Sequence, residues 1–217
     1  MLDPRICPAC AEIGERLVVE GDVRVCDWCG HRWPFHRLPL FALTGPSGAG
    51  KSTVGPALLT RLGGQVLVLE QDVLWVAGLR DDVDGHPAFR STWLRMAAML
   101  HQNGRPVVLC GTVVPPEFER LPERSLFSAV HYLALVADAD VLASRLRARP
   151  AWRQWDEPRI AEMLAFNDWL QQNAASLGVD LFDTTDTSLD AAVEHAAAWI
   201  RGYLDVPLAS KTAAFPR

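Results

Sequence analysis

Two kinds of hydrophobic pattern alternate along most of this chain. Short continuous apolar runs predict buried β-strands, at Leu40–Thr44, Val66–Glu70, Val107–Cys110, Val130–Val136 and Asp180–Phe182. Longer segments with apolar residues every three or four positions predict helices, at Lys51–Leu62, Ala88–Asn103, Val141–Arg149, Pro158–Leu177 and Leu189–Leu204. Such alternation predicts an α/β fold, a parallel five-stranded sheet with helices on both faces.

The beginning of the chain follows a different pattern. Two short apolar segments, Leu17–Glu20 and Val23–Val25, flank Gly21-Asp22 as in a β-hairpin. Pro34 and Pro39 then interrupt the chain before the first long apolar run. We therefore expect a small unit over residues 1–38, an α/β domain over 39–205 and a flexible tail over 206–217.

Composition and charge exclude several classes of protein. The 217 residues include 21 Lys+Arg and 26 Asp+Glu, and 49% of them are hydrophobic. The net charge of −5 argues against a nucleic-acid partner, because proteins that bind nucleic acid usually present a basic surface. No apolar stretch is long enough to span a membrane and no secretory signal pattern is present. These features predict a cytoplasmic protein with no membrane partner.

Four of the five cysteines form two C-x2-C pairs, Cys7 with Cys10 and Cys26 with Cys29, separated by 15 residues. This spacing is typical of a zinc ribbon, in which the four thiolates bind one tetrahedral Zn²⁺. We expect a structural zinc site, because four thiolates leave no coordination position for a substrate. Redox-active pairs are the alternative, and His31 is a weaker alternative ligand. Cys110 stands alone in an apolar run and is expected to be buried.

A glycine-rich loop follows the first predicted strand and matches G-x-x-x-x-G-K-[ST] in full. Backbone N–H groups of such a loop surround phosphates, the lysine reaches the β- and γ-phosphates, and the serine hydroxyl binds Mg²⁺. The residues expected to bind ATP are Gly45, Ser47, Gly48, Ala49, Gly50, Lys51, Ser52 (also a magnesium ligand) and Thr53. Of the 21 Lys+Arg residues, only Lys51 and Lys211 are lysines. Because the chain otherwise uses arginine for its positive charges, we expect position 51 to require the compact ammonium group of a lysine.

With this loop, the chain resembles the P-loop small-molecule kinases, a group with a nucleoside monophosphate kinase-like fold that includes gluconate, shikimate and uridine kinases. The resemblance extends over Leu40–Leu204 and implies ATP and Mg²⁺ as cofactors. Three further segments carry it: Leu69–Trp75, Val107–Pro116 and Arg145–Arg153.

The first two segments resemble the acceptor side of such kinases. Asp72 is the candidate base that orients the acceptor hydroxyl, and Glu70 is a candidate for Mg²⁺ or for a substrate hydroxyl. Capping of the following helix is the alternative for both. Gly111 and Thr112 either contact the acceptor or form a plain turn. The strand before them lacks a terminal Asp, which leaves the usual carboxylate ligand of Mg²⁺ unassigned.

The third segment resembles the lid of these kinases, whose arginines close over the phosphates. Arg145 and Arg149 share a helix face, and Arg153 lies beyond the helix-breaking Pro150. All three are candidate catalytic residues, with a solvated basic helix end as the alternative. Thr184 resembles a residue of the adenine-side loop, although the surrounding Asp-Thr-Thr sequence is also common at helix caps.

The acceptor is expected beyond the carboxyl ends of the strands, where the segment from Trp75 to Trp93 lies. Trp75 and Trp93 are candidates for a stacking wall, and Arg80 and Arg90 for binding a carboxylate or phosphate. The leading hypothesis is an ATP-dependent kinase for a small acceptor such as a nucleoside, a nucleotide or a sugar-like metabolite. The alternative is a regulatory ATPase whose ribbon contacts nucleic acid or a partner protein. A dimer remains open.

Overall fold

The computed structural model describes residues 3–14 and 16–204. Near its start, three short strands form an antiparallel sheet in the order β1 (Val18–Glu20), β2 (Val23–Val25) and β3 (Arg32–Pro34). The expected hairpin is present, since Glu20 pairs with Val23 across Gly21-Asp22. The third strand was not predicted, because it is short and contains a proline. The tail predicted over 206–217 lies outside the described residues.

Arg24 stabilises this small sheet from within. Its side chain is buried, with an exposed fraction of 1%, and it donates hydrogen bonds to the backbone carbonyls of Pro4, Val18 and Val25 at 2.6–3.1 Å. Arg24 is therefore committed to the interior of the ribbon and is not available to a nucleic-acid phosphate.

The large sheet contains five parallel strands in the order β5-β6-β4-β7-β8. They are β4 (Leu40–Thr44), β5 (Leu67–Glu70), β6 (Val107–Cys110), β7 (Val130–Val136) and β8 (Val179–Asp183). The central strands β4 and β6 are buried along their whole length, as expected for a sheet covered on both faces. The predicted fold class is confirmed.

In the described part of the chain, six α-helices lie between these strands and a seventh follows the last one. They are α1 (Lys51–Arg61), α2 (Asp72–Val76), α3 (Pro87–His101), α4 (Pro115–Glu119), α5 (Ala139–Arg147), α6 (Glu157–Leu177) and α7 (Leu189–Leu204). The five long ones begin and end within two residues of the predicted bounds. Helix α6 shows why: the Asp156 side chain accepts a hydrogen bond from the Arg159 amide at its start, and Gly178 ends it with φ of 64°. Helices α2 and α4 were not predicted.

The sheet separates two hydrophobic cores. One contains α3 and α6 side chains together with Leu17 and Phe35 of the N-terminal region. The other contains α1 and α7 side chains. Within the described part of the chain, no helix is long and apolar enough to cross a membrane.

The N-terminal region is docked on the first of these cores. Asp3 forms an ion pair with Arg95 of α3, and the Leu17 carbonyl accepts a hydrogen bond from the Ser125 hydroxyl at 2.9 Å. The His36 amide donates to the side-chain oxygen of Gln102, directly after α3, at 2.9 Å. The ribbon is therefore held against the middle and the C-terminal end of α3.

Candidate active site

The loop between β4 and α1 has the backbone shape of a phosphate cradle. Gly45 has φ of 128°, and a Cβ there would lie 2.1 Å from the Leu135 carbonyl oxygen, so only glycine fits. Gly50 precedes α1 with φ of 100°. The first turn of α1 contains no acidic residue, so its N–H groups and positive dipole end are available to an anion. These features fit a bound nucleotide phosphate.

Lys51 lies inside this cradle. It is buried, and its Nζ donates hydrogen bonds to the carbonyls of Gly45 and Pro46 at 2.7 and 2.9 Å. Burial lowers the pKa of Lys51 to about 8, and the negative charges of Asp72 and Glu70 oppose that shift. A buried ammonium group with no full counter-ion in direct contact is suited to binding a phosphate.

Two carboxylates stand at the end of β5, facing the cradle. Burial, and then the charge of Asp72, raise the pKa of Glu70, while Lys51 and a hydrogen bond with Ser52 act against this. Glu70 and Ser52 are thus neighbours, and carboxylate and hydroxyl oxygens are ligands that Mg²⁺ accepts. Glu70 offers the carboxylate that strand β6, which ends in Cys110, does not supply.

The segment after α5 brings an arginine to Asp72. Arg153 lies in a short 3-10 helix, Ala151–Arg153, and its NH1 is 3.4 Å from Asp72 Oδ2. Burial, and then the charge of Arg153, lower the pKa of Arg149, while Asp72 opposes the shift. Arg149, Arg153 and Asp72 therefore form one electrostatic cluster.

Arg145 and Thr184 lie beside the phosphate cradle and not in the cluster around Asp72. Arg145 donates to the Thr184 carbonyl at 2.8 Å and reaches the Gly48 carbonyl at 3.5 Å. The Thr184 hydroxyl donates to the Ala49 and Val136 carbonyls. These contacts connect the loop after β8 to the phosphate cradle, so Arg145 positions backbone there, away from Asp72.

A cavity of about 390 Å³ opens between the cradle and α3. Its volume is in the range of small-molecule sites. The lining includes Ser47 of the cradle, Asp72, and side chains from α2, α3 and the lid segment. Of the predicted acceptor-side residues, Asp72, Trp75, Arg90 and Thr112 line it.

Four predicted acceptor-side residues do not line this cavity: Glu70, which lies beside Ser52 and Lys51 at the phosphate cradle, and Trp93, Arg80 and Gly111. Trp93 is 2% exposed and packs in the core, where its ring meets Phe89. Phe89, four residues earlier on the same face of α3, contacts Trp75 instead. Arg80 is exposed and lies over the Trp75 ring at 4.3 Å. Gly111 is buried against Gln71, whose Oε1 would lie 2.2 Å from a Cβ at Gly111.

Several lining residues were missed by sequence reasoning. They are Gln71, Val76, His86, Phe89, Trp152, Trp155, Arg159, Glu162 and Met163. A signal existed for Trp152 and Trp155, since both lie near Arg153 in the lid segment. Nothing in the local pattern distinguishes Phe89 from Trp93, because both are on the core face of α3.

The four N-terminal cysteines come together away from this cavity. Their Sγ atoms all lie within 4.8 Å of one another, and the Cys7–Cys29 and Cys10–Cys26 distances are both 3.8 Å. A tetrahedral zinc with Zn–S bonds of about 2.3 Å requires S···S distances of about 3.8 Å. The Ala9 and Trp28 amides donate to the Cys7 and Cys26 sulfurs at 3.4 Å, which stabilises thiolates. The donor set and its spacing fit Zn²⁺.

The chain is similar to several known proteins. A family model described as an AAA domain matches residues 40–172. The shikimate kinase of Chlorobaculum tepidum is 41% identical over 184 residues, which cover 76% of this chain and 92% of that protein. A gluconokinase structure from Sinorhizobium meliloti shares the fold with 20% identity and a TM-score of 0.52, covering 77% of this chain and 94% of its own. A sugar kinase structure from Janibacter sp. does so with 18% identity and a TM-score of 0.55, covering 76% and 95%.

The matched stretch contains the phosphate cradle, both carboxylates and the lid arginines, and the curated relative is matched over nearly its whole length. The chain therefore belongs to the AAA domain family of P-loop proteins and is an ATP-dependent small-molecule kinase.

Proposed function

We propose that this kinase phosphorylates a hydroxyl group of a small molecule bound in the cavity between the phosphate cradle and α3. The observation that carries the proposal is that Ser47 of the cradle and Asp72 line the same cavity. A hydroxyl held near Asp72 would thus lie next to the nucleotide phosphates, as transfer requires. The names of the relatives, shikimate kinase and gluconokinase, also point to hydroxylated acceptors.

On the nucleotide side, the chain supplies charge and orientation. The cradle N–H groups and Lys51 would hold the phosphates, with Thr53 in the first turn of the following helix. Ser52 and Glu70 would hold Mg²⁺, which when bound neutralises the charge of the phosphate oxygens. The partial burial of Glu70 and its position beside Lys51 support this assignment.

On the acceptor side, Asp72 orients the hydroxyl and accepts its proton. Arg149 and Arg153 stabilise negative charge on the phosphoryl group and close the cavity to water. The 3.4 Å contact between Arg153 and Asp72 supports their action at one place.

We also propose that Cys7, Cys10, Cys26 and Cys29 bind one structural Zn²⁺. Four thiolates close the coordination sphere, so the metal would act in folding and not in phosphoryl transfer. The small three-stranded sheet buries few side chains of its own, and units of this size usually need a metal to fold.

A direct screen tests the kinase proposal. The purified protein with ATP and Mg²⁺ is incubated with pools of nucleosides, sugars, polyols and hydroxy acids, and phosphate esters are followed by phosphorus NMR. The expected result is an ester from one pool, lost in Asp72→Asn. Hydrolysis of ATP without any ester, stimulated by added nucleic acid, would favour the regulatory alternative and overturn the proposal.

A further inference from the structure

Arg90 of α3 is a buried cation at the wall of the acceptor cavity. Its residue exposure is 8%, and its guanidinium lies over the Phe118 ring at 5.8 Å. Its Nε donates to the Gly85 carbonyl at 2.6 Å and its NH1 to the Thr112 carbonyl at 3.5 Å. These contacts fix the plane of the guanidinium, so the side chain cannot swing towards a distant ligand.

The charge of Arg90 is already balanced. Glu117 of α4 forms an ion pair with its NH2 group, and the side chains of the two residues are 10% and 24% exposed. At this burial the two charges interact through a medium far less polar than water, so the pair is held more firmly than a surface pair. The Glu117 carboxylate also approaches Gly85, where a Cβ would lie 3.3 Å from its Oε1.

The other charged groups at the cavity also compensate one another. Among the described lining residues, Arg90, Arg153 and Arg159 are cations, and Asp72 and Glu162 are anions. Glu117 lies behind Arg90, and Arg149 belongs to the cluster of Arg153 and Asp72, so four arginines and three carboxylates lie at or behind the wall. Arg153 contacts Asp72, and Arg159 donates to the carbonyls of Arg153 and Gln154 at 3.0 and 2.5 Å. On the α3 side of the cavity, the charge of Arg90 is therefore already compensated by Glu117 before any carboxylate binds.

Aromatic rings and hydrogen-bond donors are the other groups of the cavity wall that a ligand can contact. Trp75, Phe89 and Trp155 line the cavity, and such rings bind the flat or C–H-bearing face of a ring compound. A guanidinium has five N–H donors, so Arg90 keeps N–H groups beyond its three protein contacts for a hydroxyl or carbonyl oxygen.

We infer that Glu117 determines the acceptor class of this kinase by neutralising Arg90, so that the cavity takes an uncharged hydroxylated ring compound or polyol in preference to a carboxylate. The inference rests on the proposed function, since it concerns the same cavity. It would distinguish this chain from the shikimate kinase relative, whose name denotes a carboxylated acceptor.

Matched pairs of ligands test this inference. Binding of shikimate and shikimate methyl ester, and of gluconate and glucitol, is measured by calorimetry on the zinc-containing full chain with Mg²⁺–ADP. We expect the wild type to prefer the neutral member of each pair by about tenfold or more. Glu117→Gln should reduce that preference at least tenfold by freeing the charge of Arg90. The control, Glu119→Gln, removes a carboxylate from the same helix that contacts Arg124 and Tyr132, and should leave the preference unchanged.

Preference of the wild type for the acids, or binding of neither member, would overturn the inference. So would an unchanged preference in a Glu117→Gln variant that melts like the wild type. If that variant does not fold, the double variant Arg90→Gln with Glu117→Gln removes both charges. It should keep the preference for neutral ligands. A preference of the double variant for the acids would contradict the inference. Preferred binding of neutral ligands without any phosphate ester by NMR would instead refute the proposed kinase function and leave the ligand class supported.

Discussion

Asp72 Oδ2 lies 3.4 Å from NH1 of Arg153, so a carboxylate at the end of β5 meets an arginine that follows α5. The two residues are 81 positions apart in the chain and come together only because β5 and the lid segment both border the acceptor cavity. The contact places a guanidinium beside the carboxylate that is proposed to accept the proton of the acceptor hydroxyl.

Asp72→Asn should lower kcat by about 10²- to 10⁴-fold, because an amide orients a hydroxyl but does not take its proton. The KM for ATP should change little, since the cradle is intact. Steady-state kinetics with the acceptor found by the screen would measure both. Asp82→Asn, an exposed carboxylate further along the same segment, is the matched control. Equal loss of kcat in the two variants would contradict the assignment of Asp72 as the base.

Lys51→Arg should abolish phosphoryl transfer while leaving the fold and the metal content intact. Lys51 is buried between the carbonyls of Gly45 and Pro46, and a broad planar guanidinium does not fit where a compact ammonium does. Kinetics, the melting temperature and zinc analysis would test this. Lys211→Arg makes the same exchange at the other lysine of the sequence and should retain activity. Substantial transfer by Lys51→Arg would show that any cation suffices in the cradle.

The free energy of unfolding should depend on pH through the ionisation of Lys51. Burial lowers the pKa of Lys51 from its ordinary value of 10.5 to about 8, so the unfolded chain holds this proton up to a higher pH than the folded protein does. The free energy of unfolding should therefore rise with pH between about 8 and 10.5, by about 3 kcal/mol in total.

Urea unfolding of the wild type and of Lys51→Met at pH 7.5 and 10.5 measures this contribution. Groups other than Lys51 titrate in both proteins, so their effects cancel in the difference between the two. The wild type should gain stability relative to the variant as the pH rises. Parallel curves would mean that the ammonium is not desolvated in the folded protein.

Zinc content should depend on the ribbon cysteines alone. Cys26→Ser removes one of four thiolates and should reduce bound zinc from about one per chain to well below that value. Cys110→Ala changes a buried cysteine of the α1–α7 core and should keep the full zinc content. Metal analysis of the two purified variants is sufficient, and equal zinc in both would refute the four-thiolate site.

The architecture could be predicted from the sequence because each long helix or strand shows its characteristic hydrophobic pattern over many residues. Five buried runs and five periodic segments define the sheet and its covering helices. The elements that were missed are short: α2 and α4 have five residues each and β3 has three. A five-residue helix does not complete two turns, and a three-residue strand shows too little alternation of apolar and polar residues to be recognised. Tertiary contacts decide the conformation of such short elements.

The candidate site likewise has one part that could be predicted from the sequence and one part that could not. The cradle is contiguous in sequence and needs glycines at fixed positions, so its residues could be named in advance. The acceptor cavity is built from α2, α3, the lid segment and the start of α6, and its pairings depend on packing. Glu117 illustrates this, since its position in the sequence does not reveal that it neutralises Arg90. Phe89 lines the cavity and Trp93 does not, although both are on the core face of α3, because Phe89 lies one turn nearer the N-terminus of the helix.

The docking of the ribbon on α3 would connect the proposed zinc to the acceptor side of the site and not to the nucleotide side. Leu17 and Phe35 share a core with Phe89 and Trp93, while the nucleotide helix α1 belongs to the core on the opposite face of the sheet. Stripping the metal with a chelator should therefore weaken the affinity for the acceptor well before it disturbs the affinity for ATP. A cell short of zinc would hold an enzyme that still captures nucleotide but selects its second substrate poorly.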